Sequence, residues 1–172
     1  MLDLTVRDGF ASPAEAAAAL AAWPADGWHD YGPHKRATTP GAVMPEPIAV
    51  LLHRMAALPL PGMLPDLGLW GAGLHEMPPG TSGLGWHTDA ERHPGIGFGR
   101  TRSGVLYLCG DGDLEFAGGA RVSPAPGRLA LFDGSAAHRV GPVTALRRSV
   151  SLFWYGPPVP GGSVRATFEE TP

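Results

Sequence analysis

Apolar residues follow a helical spacing only in the first third of the chain. Between residues 46 and 58 they recur every three or four positions, which predicts a helix with one apolar face. The residues on this face are Ile48, Leu51, Leu52, Met55 and Leu58. An earlier helix is predicted from residue 12 to about residue 23, because Ser12 and Glu15 can form a capping box and Pro13 suits the first turn.

From residue 64 onward the pattern is that of short strands, since brief apolar or alternating runs are separated by turns rich in Gly, Pro and Asp. The predicted strands span residues 68–77, 84–89, 103–109, 113–117, 120–122, 128–133, 137–140, 147–155 and 163–168. Strands and helices do not alternate, which disfavours a parallel α/β sheet. We expect an antiparallel β-sandwich or jelly roll with both helices packed on one outer face. Residues 24–45 lack periodicity and are predicted to form a long ordered loop, with room for short strands.

The composition supports a folded chain in spite of its 25 glycines and 19 prolines among 172 residues. Disordered chains are poor in apolar residues and rich in charge, whereas this chain is 44% hydrophobic and 17% charged. The length fits a single domain. We divide it into N-terminal helices and loop (1–63), a β-strand core (64–156) and a C-terminal tail (157–172).

Charge and cysteine content exclude several classes of protein. The net charge is −3 and no segment is strongly basic, so a nucleic-acid partner is not expected. Cys109 is the single cysteine, which excludes an internal disulfide or a cysteine-based zinc site and favours a reducing, cytoplasmic compartment. No segment resembles a signal peptide or a membrane span, so a membrane partner is not expected either.

His87 and Asp89 lie two residues apart on a predicted strand, so their side chains point to the same face. His138 follows the apolar strand at residues 129–132 and lies 49 residues after Asp89. Two histidines and one carboxylate are the ligand set of non-haem Fe(II) oxygenases, which leaves three coordination positions open. The remaining histidines that lie on predicted elements, His53 and His75, are expected to be structural or exposed.

The last strongly apolar strand begins with two arginines. If Arg147 points inward, Ser149 and Ser151 lie beside it and form a slot for a carboxylate, held bidentately by the guanidinium with help from a serine hydroxyl. Arg148 is the alternative. We prefer Arg147 because Val150 and Leu152 then face the helices.

Taken in order, the motif His-x-Asp…His-x8-Arg-x-Ser resembles the Fe(II)/2-oxoglutarate-dependent dioxygenases, and most of all their prolyl-4-hydroxylase-like group. The resemblance covers about residues 64–156 and rests on segments 77–80, 85–89, 104–108, 113–116, 126–132 and 138–154. It implies a double-stranded β-helix, the jelly roll shared with cupins. Met77 departs from the pattern, since the family often has tyrosine at this position.

The resemblance also implies residue roles. His87, Asp89 and His138 bind Fe(II), while Arg147 binds the distal carboxylate of 2-oxoglutarate with Ser149 and with Tyr107 as a further hydroxyl. The implied reaction uses O2 to hydroxylate an unactivated C–H bond and releases succinate and CO2.

The substrate is expected to be a small molecule or a peptide or protein side chain. Three arginines near the expected iron site, Arg92, Arg100 and Arg102, form a candidate mouth for an anionic substrate. Two alternative functions stay open: a cupin-like metalloenzyme that does not use 2-oxoglutarate, and a jelly-roll binding module without chemistry. The sequence does not indicate the oligomeric state.

Overall fold

Two helices and twelve strands make up the part of the chain that the computed structural model describes, which comprises residues 2–31, 34–37, 44–68, 72–90 and 99–156. The helices are α1 (Pro13–Ala21) and α2 (Glu46–Ala56). The strands are β1 (Leu4–Arg7), β2 (His29–Tyr31), β3 (His34–Ala37), β4 (Leu64–Asp66), β5 (Ala72–Met77), β6 (Leu84–His87), β7 (Gly99–Cys109), β8 (Leu114–Phe116), β9 (Arg121–Val122), β10 (Leu129–Asp133), β11 (His138–Val140) and β12 (Arg147–Gly156).

The strands of the described residues form two sheets in which neighbouring strands are antiparallel. The larger sheet has the order β1-β10-β7-β12-β5-β3-β2, and β4 pairs with the far end of β12. The smaller sheet has the order β6-β11-β8-β9. The prediction of a mainly β, antiparallel protein with two helices is therefore confirmed.

The capping box predicted for α1 is present. The Ser12 hydroxyl accepts the Glu15 backbone N–H at 3.3 Å, and the Glu15 carboxylate accepts the Ser12 N–H at 2.8 Å. Arg54 of α2 forms an ion pair with Glu15 and donates to the Phe10 carbonyl at 3.0 Å, which links the two helices. The ion pair and both Ser12 contacts lower the pKa of Glu15 to about 2.

Both helices end two residues before their predicted ends. The Trp23 N–H donates to the Leu20 carbonyl and the Leu58 N–H donates to the Met55 carbonyl, so each last turn closes with a tighter hydrogen bond over three residues. Neither helix has the length and apolar character needed to cross a lipid bilayer.

Alternate residues of the larger sheet enter two different apolar clusters. One cluster combines α1 and α2 with strand residues that include Leu106, Val150 and Leu152. The other contains Tyr107, the neighbour of Leu106, together with residues of the smaller sheet. This alternation is what a strand with two buried faces requires.

Several predicted strand limits differ from the structure. β6 ends at His87, so Asp89 lies beyond the strand, and β7 begins at Gly99 instead of 103. Strands β1 and β4 were not predicted, whereas β2 and β3 lie within residues 24–45, where a long ordered loop with room for short strands was predicted. The strand predicted at 163–168 lies outside the described residues.

Candidate functional site

Three side chains with metal-ligating atoms meet at one end of the paired strands β6 and β11 of the smaller sheet. His138, the first residue of β11, lies directly opposite His87, the last residue of β6. Asp89 follows two residues after the end of β6, and its backbone N–H donates to the Gly134 carbonyl at 2.8 Å. Strand pairing and this single backbone bond thus join segments that are 49 residues apart.

The ligating atoms of these three residues lie within 4.8 Å of one another. Asp89 Oδ1 is 3.7 Å from His87 Nε2, and Asp89 Oδ2 is 3.6 Å from His138 Nε2. Two imidazoles and one carboxylate converging on a point form the facial donor set that suits non-haem Fe(II). Among the described residues this is the one group of three or more ligating side chains with such spacing.

Both imidazoles present Nε2 to the site. Nδ1 of His87 lies 2.8 Å from the Gly85 carbonyl, and Nδ1 of His138 lies 2.8 Å from the Ala136 carbonyl. Since a carbonyl only accepts, each Nδ1 carries the proton and each Nε2 keeps its lone pair for a metal. Burial lowers the pKa of His138, which further favours the neutral ring.

The Asp89 carboxylate is oriented by a buried hydroxyl, because Ser103 Oγ on β7 donates to Asp89 Oδ2 at 2.7 Å. We expect Ser103→Ala to weaken Fe(II) binding by about 10- to 100-fold, the usual cost of removing a partner of a metal ligand. Anaerobic calorimetric titration with Fe(II) measures this. Ser123→Ala, at an exposed serine, is the matched control. Unchanged affinity in Ser103→Ala would show that the hydroxyl does not orient the carboxylate.

A cavity opens from this cluster between the two sheets. Besides the three clustered residues it is lined by His75, Met77, Leu84, Val105, Leu114, Phe132, Val140, Arg147, Ser149, Ser151 and Phe153. The last four are alternate residues of β12, so the predicted inward face of that strand is the one on the cavity.

Arg147 is the buried cation of this cavity, with 4% of its surface exposed. Its guanidinium donates to the Gly112 carbonyl, and no carboxylate in the described chain forms an ion pair with it. Burial lowers the pKa of Arg147, but a guanidinium stays charged in proteins. A buried cation without an anionic partner favours an anionic ligand.

Arg148 points the other way. Its Nε lies 2.9 Å from the Glu76 carboxylate, and its guanidinium lies 5.5 Å from the Trp23 ring centroid, in the region of α1. Of the two candidate arginines, Arg147 is therefore the one on the cavity.

Tyr107 lies next to Arg147, with its ring centroid 5.1 Å from the guanidinium carbon. The phenol is fully buried, and its hydroxyl makes no hydrogen bond of regular geometry within the described residues, although it is close enough to the Arg147 guanidinium to interact with it. Burial raises the pKa of Tyr107 to about 12, although the charge of Arg147 opposes this shift. The hydroxyl therefore stays protonated, and a buried donor beside an unpaired cation suits a carboxylate ligand.

The turn before β8 fixes the backbone at Arg147. Gly110 has φ +90°, and a Cβ at this position would lie 2.4 Å from the Arg147 Cα. We expect Gly110→Ala to lower stability by about 1–3 kcal/mol and, by displacing Arg147, to raise the KM for 2-oxoglutarate, the ligand that the sequence resemblance implies for this arginine. Thermal unfolding and steady-state kinetics measure the two effects.

Gly62→Ala is the control for Gly110→Ala, since Gly62 has φ +73° and a Cβ added there would meet no atom within 4 Å. Gly62→Ala measures the cost of placing alanine at a positive φ without the steric clash that a Cβ causes at position 110. Equal KM values in both variants would mean that Gly110 does not position Arg147.

His75 was expected to be structural or exposed, but it lines the cavity. Its Nε2 lies 2.9 Å from the Ser151 hydroxyl. The sequence held one usable signal: on the strand 68–77, His75 and Met77 share a face, and Met77 already belonged to the family-like segment.

Of the three arginines predicted for the substrate mouth, Arg102 is the one whose side chain belongs to the described residues. Arg102 forms an ion pair with Asp3, on the side of β7 opposite to Ser103, and it is not among the residues that line the cavity. Arg92 and the side chain of Arg100 lie outside the described residues, and their role stays a prediction.

The model of the 2OG-Fe(II) oxygenase superfamily matches residues 72–156, a segment that contains the three clustered ligands and Arg147. The chain belongs to the 2OG-Fe(II) oxygenase superfamily. It is accordingly an Fe(II)/2-oxoglutarate-dependent dioxygenase, with Fe(II) as cofactor and 2-oxoglutarate and O2 as co-substrates. Both alternatives from the sequence, the cupin-like enzyme without 2-oxoglutarate and the binding module, conflict with this membership.

Several solved structures share the fold of this chain. A prolyl-4-hydroxylase from Pseudomonas putida is 22% identical, with 92% of this chain and 95% of that chain covered and a TM-score of 0.66. HygX from Streptomyces hygroscopicus, solved with nickel and 2-oxoglutarate, is 14% identical, with 91% and 83% covered and a TM-score of 0.68. A prolyl hydroxylase from Trichoplax adhaerens, in complex with a peptide of hypoxia inducible factor, is 18% identical, with 89% and 83% covered and a TM-score of 0.60. At such identities these likenesses show a shared fold. No curated protein matches the chain significantly.

Proposed function

We propose that this oxygenase is a hydroxylase that oxidises an unactivated C–H bond of a small molecule or of a peptide or protein side chain. The observation that carries the proposal is the cavity itself. Three ligating atoms within 4.8 Å of one another lie on its wall together with a buried arginine that lacks an anionic partner in the described chain.

In this proposal His87, Asp89 and His138 hold Fe(II). The support is chemical: both Nε2 lone pairs and a carboxylate oriented by Ser103 face one point. Three protein ligands leave three positions of an octahedral ion open for other molecules.

Arg147 binds the distal carboxylate of 2-oxoglutarate, with Ser149 and Tyr107 as hydroxyl donors. Arg147 and Ser149 lie on the same face of β12, and both are buried. The Tyr107 hydroxyl, which makes no hydrogen bond of regular geometry in the described chain, gains one when a carboxylate enters.

With Fe(II) bound, O2 and 2-oxoglutarate supply the oxidising chemistry, in which decarboxylation to succinate and CO2 is coupled to insertion of oxygen into a C–H bond. The protein contributes orientation and shielding. Apolar residues such as Val105, Leu114 and Phe132 line the cavity and limit the access of water. Peptide and protein side chains are included among the proposed substrates because one of the similar structures is a complex with a peptide.

We also propose that the two sheets form a double-stranded β-helix, with α1 and α2 on its outer face and residues 64–156 as the catalytic core of a single domain. The support is the apolar cluster that joins both helices to alternate residues of β7 and β12. The opposite alternate residues line the cavity.

Anaerobic addition of Fe(II) and 2-oxoglutarate to the purified protein tests the function. We expect a visible charge-transfer absorption band, and succinate release when O2 is admitted. A product 16 mass units heavier than an added substrate identifies hydroxylation. A folded protein that shows neither the band nor succinate would contradict the proposal.

A further inference from the structure

The strand β6, which carries His87, contains one residue more than the segment of β11 with which it pairs. His87 lies opposite His138. The next pair in register is Leu84 with Val140. The step between the two pairs is three residues along β6 but two residues along β11, so β6 contains a β-bulge directly before the metal-ligating histidine.

This bulge allows Leu84 and His87 to face the cavity together. Side chains of a regular strand alternate, so residues three apart point to opposite faces. Both residues nevertheless line the cavity, and the two residues between them, Gly85 and Trp86, are exposed in succession. The bulge also supplies the Gly85 carbonyl that lies 2.8 Å from Nδ1 of His87. The position and the orientation of this imidazole therefore both depend on the backbone of the bulge.

Trp86 packs against Arg139 on the back face of the smaller sheet, which is the face turned away from the cavity. The guanidinium carbon of Arg139 lies 5.0 Å from the centroid of the Trp86 ring, which is a cation–π contact. Glu115 on β8 lies opposite Arg139 in register. Its carboxylate accepts a hydrogen bond from Arg139 Nε at 2.8 Å and lies 2.7 Å from Nη2. Glu115 therefore holds the guanidinium against the indole.

The contact between Trp86 and Arg139 lies directly behind the metal site. Trp86 precedes His87 and Arg139 follows His138, so the contact joins the two strands at the neighbours of both imidazole ligands. A shift of one residue turns every side chain of a strand to the other face. Loss of the bulge would therefore turn either Leu84 or His87 away from the cavity.

We propose that Trp86, Arg139 and Glu115 are positioning residues for the iron site. Their contacts on the back face hold the bulge of β6 and so keep His87 Nε2 directed at the point that it shares with the other two ligands. The three side chains act through the backbone, without touching the ion. This inference rests on the proposed iron site.

Single substitutions test the role of the contact. Trp86→Leu removes the aromatic face and Arg139→Met removes the cation. We expect each to weaken Fe(II) binding about three- to tenfold, which anaerobic calorimetry measures. This loss is smaller than that expected for Ser103→Ala, because it passes through the backbone. Wild-type affinity in either variant would overturn the inference.

Two further variants separate positioning from general damage to the sheet. Trp86→Phe keeps an aromatic face for Arg139 and is expected to bind Fe(II) within about twofold of the wild type. Arg121→Met is the matched control, because Arg121 is an exposed arginine on β9 of the same sheet and lies 3.9 Å from Glu115. Its affinity is expected to equal that of the wild type. A loss in Arg121→Met as large as that in Arg139→Met would overturn the inference, as would a Trp86→Phe variant no better than Trp86→Leu.

The double variant Trp86→Leu/Arg139→Met shows whether the two residues act through each other. Since they share one contact, we expect the double variant to bind Fe(II) within about twofold of the weaker single variant. Losses that multiply would mean that the two residues act independently, and would overturn the inference. Circular dichroism of the metal-free proteins at the titration temperature verifies that each variant is folded.

The wild type separates this inference from the proposed iron site. A folded wild-type protein that binds no Fe(II), or an Asp89→Asn variant that binds it as tightly as the wild type, would refute the proposed site and this inference with it. Tight binding by the wild type, loss in Asp89→Asn and no loss in Trp86→Leu would refute the positioning role alone.

Discussion

Asp89→Asn is expected to lower Fe(II) affinity by more than about 100-fold, beyond the usual cost of losing a partner of a metal ligand, and to stop succinate release. The Asp89 carboxylate lies between the two imidazoles, with one oxygen 3.7 Å from His87 Nε2 and the other 3.6 Å from His138 Nε2. Asparagine has the same shape and can keep the bond from Ser103. It lacks the negative charge that a hard divalent cation requires. Anaerobic calorimetry with Fe(II) and a succinate assay measure the two losses.

The matched control for Asp89→Asn is Asp26→Asn, the same chemical change at an exposed aspartate outside the cavity. Its iron affinity and turnover are expected to equal those of the wild type. If Asp89→Asn binds Fe(II) as tightly as the control does, the carboxylate is not a ligand. Circular dichroism of both variants separates loss of iron from loss of fold.

The sequence predicted that the side chains of His87 and Asp89 converge, but it did not predict the backbone geometry that brings them together. A strand over 84–89 would have put both side chains on one face, whereas β6 ends at His87. Asp89 is turned into the site by the bond from its N–H to the Gly134 carbonyl. Such a contact depends on the pairing of distant segments, which local spacing does not encode.

Element type was predictable where apolar residues alternate or recur, as in α2 and β12. The strand β1 was not predicted, although Leu4 and Val6 alternate with polar residues, because a run of four residues does not by itself specify a strand; β1 is held in place by pairing with β10. His75 was missed for a related reason. The first three residues of β5 are all buried, so its burial does not alternate, and the register with β12 shows more directly than the spacing from Met77 which side chains reach the cavity.

Arg102 shows the limit of reasoning from charge. Its position between predicted site residues suggested a cation for substrate. In the structure it lies on the other side of β7 from Ser103 and pairs with Asp3, near the start of the chain. A partner about 100 residues away in sequence was not visible from the pattern of charges.

Arg147→Met is expected to raise the KM for 2-oxoglutarate by at least about 30-fold. Loss of one partner from a buried, hydrogen-bonded charge pair costs about 2–5 kcal/mol, and about 1.4 kcal/mol corresponds to tenfold. Methionine fills part of the same space but leaves the distal carboxylate without a counter-charge beside Tyr107. Steady-state kinetics with 2-oxoglutarate as the varied reactant measure the change, and Fe(II) affinity without 2-oxoglutarate is expected to stay within about threefold.

Two companion variants make the Arg147 result specific. Arg147→Lys keeps the charge but not the planar fork, and we expect it to fall between the wild type and Arg147→Met. Arg148→Met removes a neighbouring arginine that pairs with Glu76 and contacts Trp23, so it is expected to lower stability and leave the KM for 2-oxoglutarate unchanged. The opposite pattern, with the KM raised by Arg148→Met and not by Arg147→Met, would move the 2-oxoglutarate carboxylate to the other face of β12. Because the two residues are adjacent on one strand, the comparison tests the register of β12 as directly as it tests the ligand.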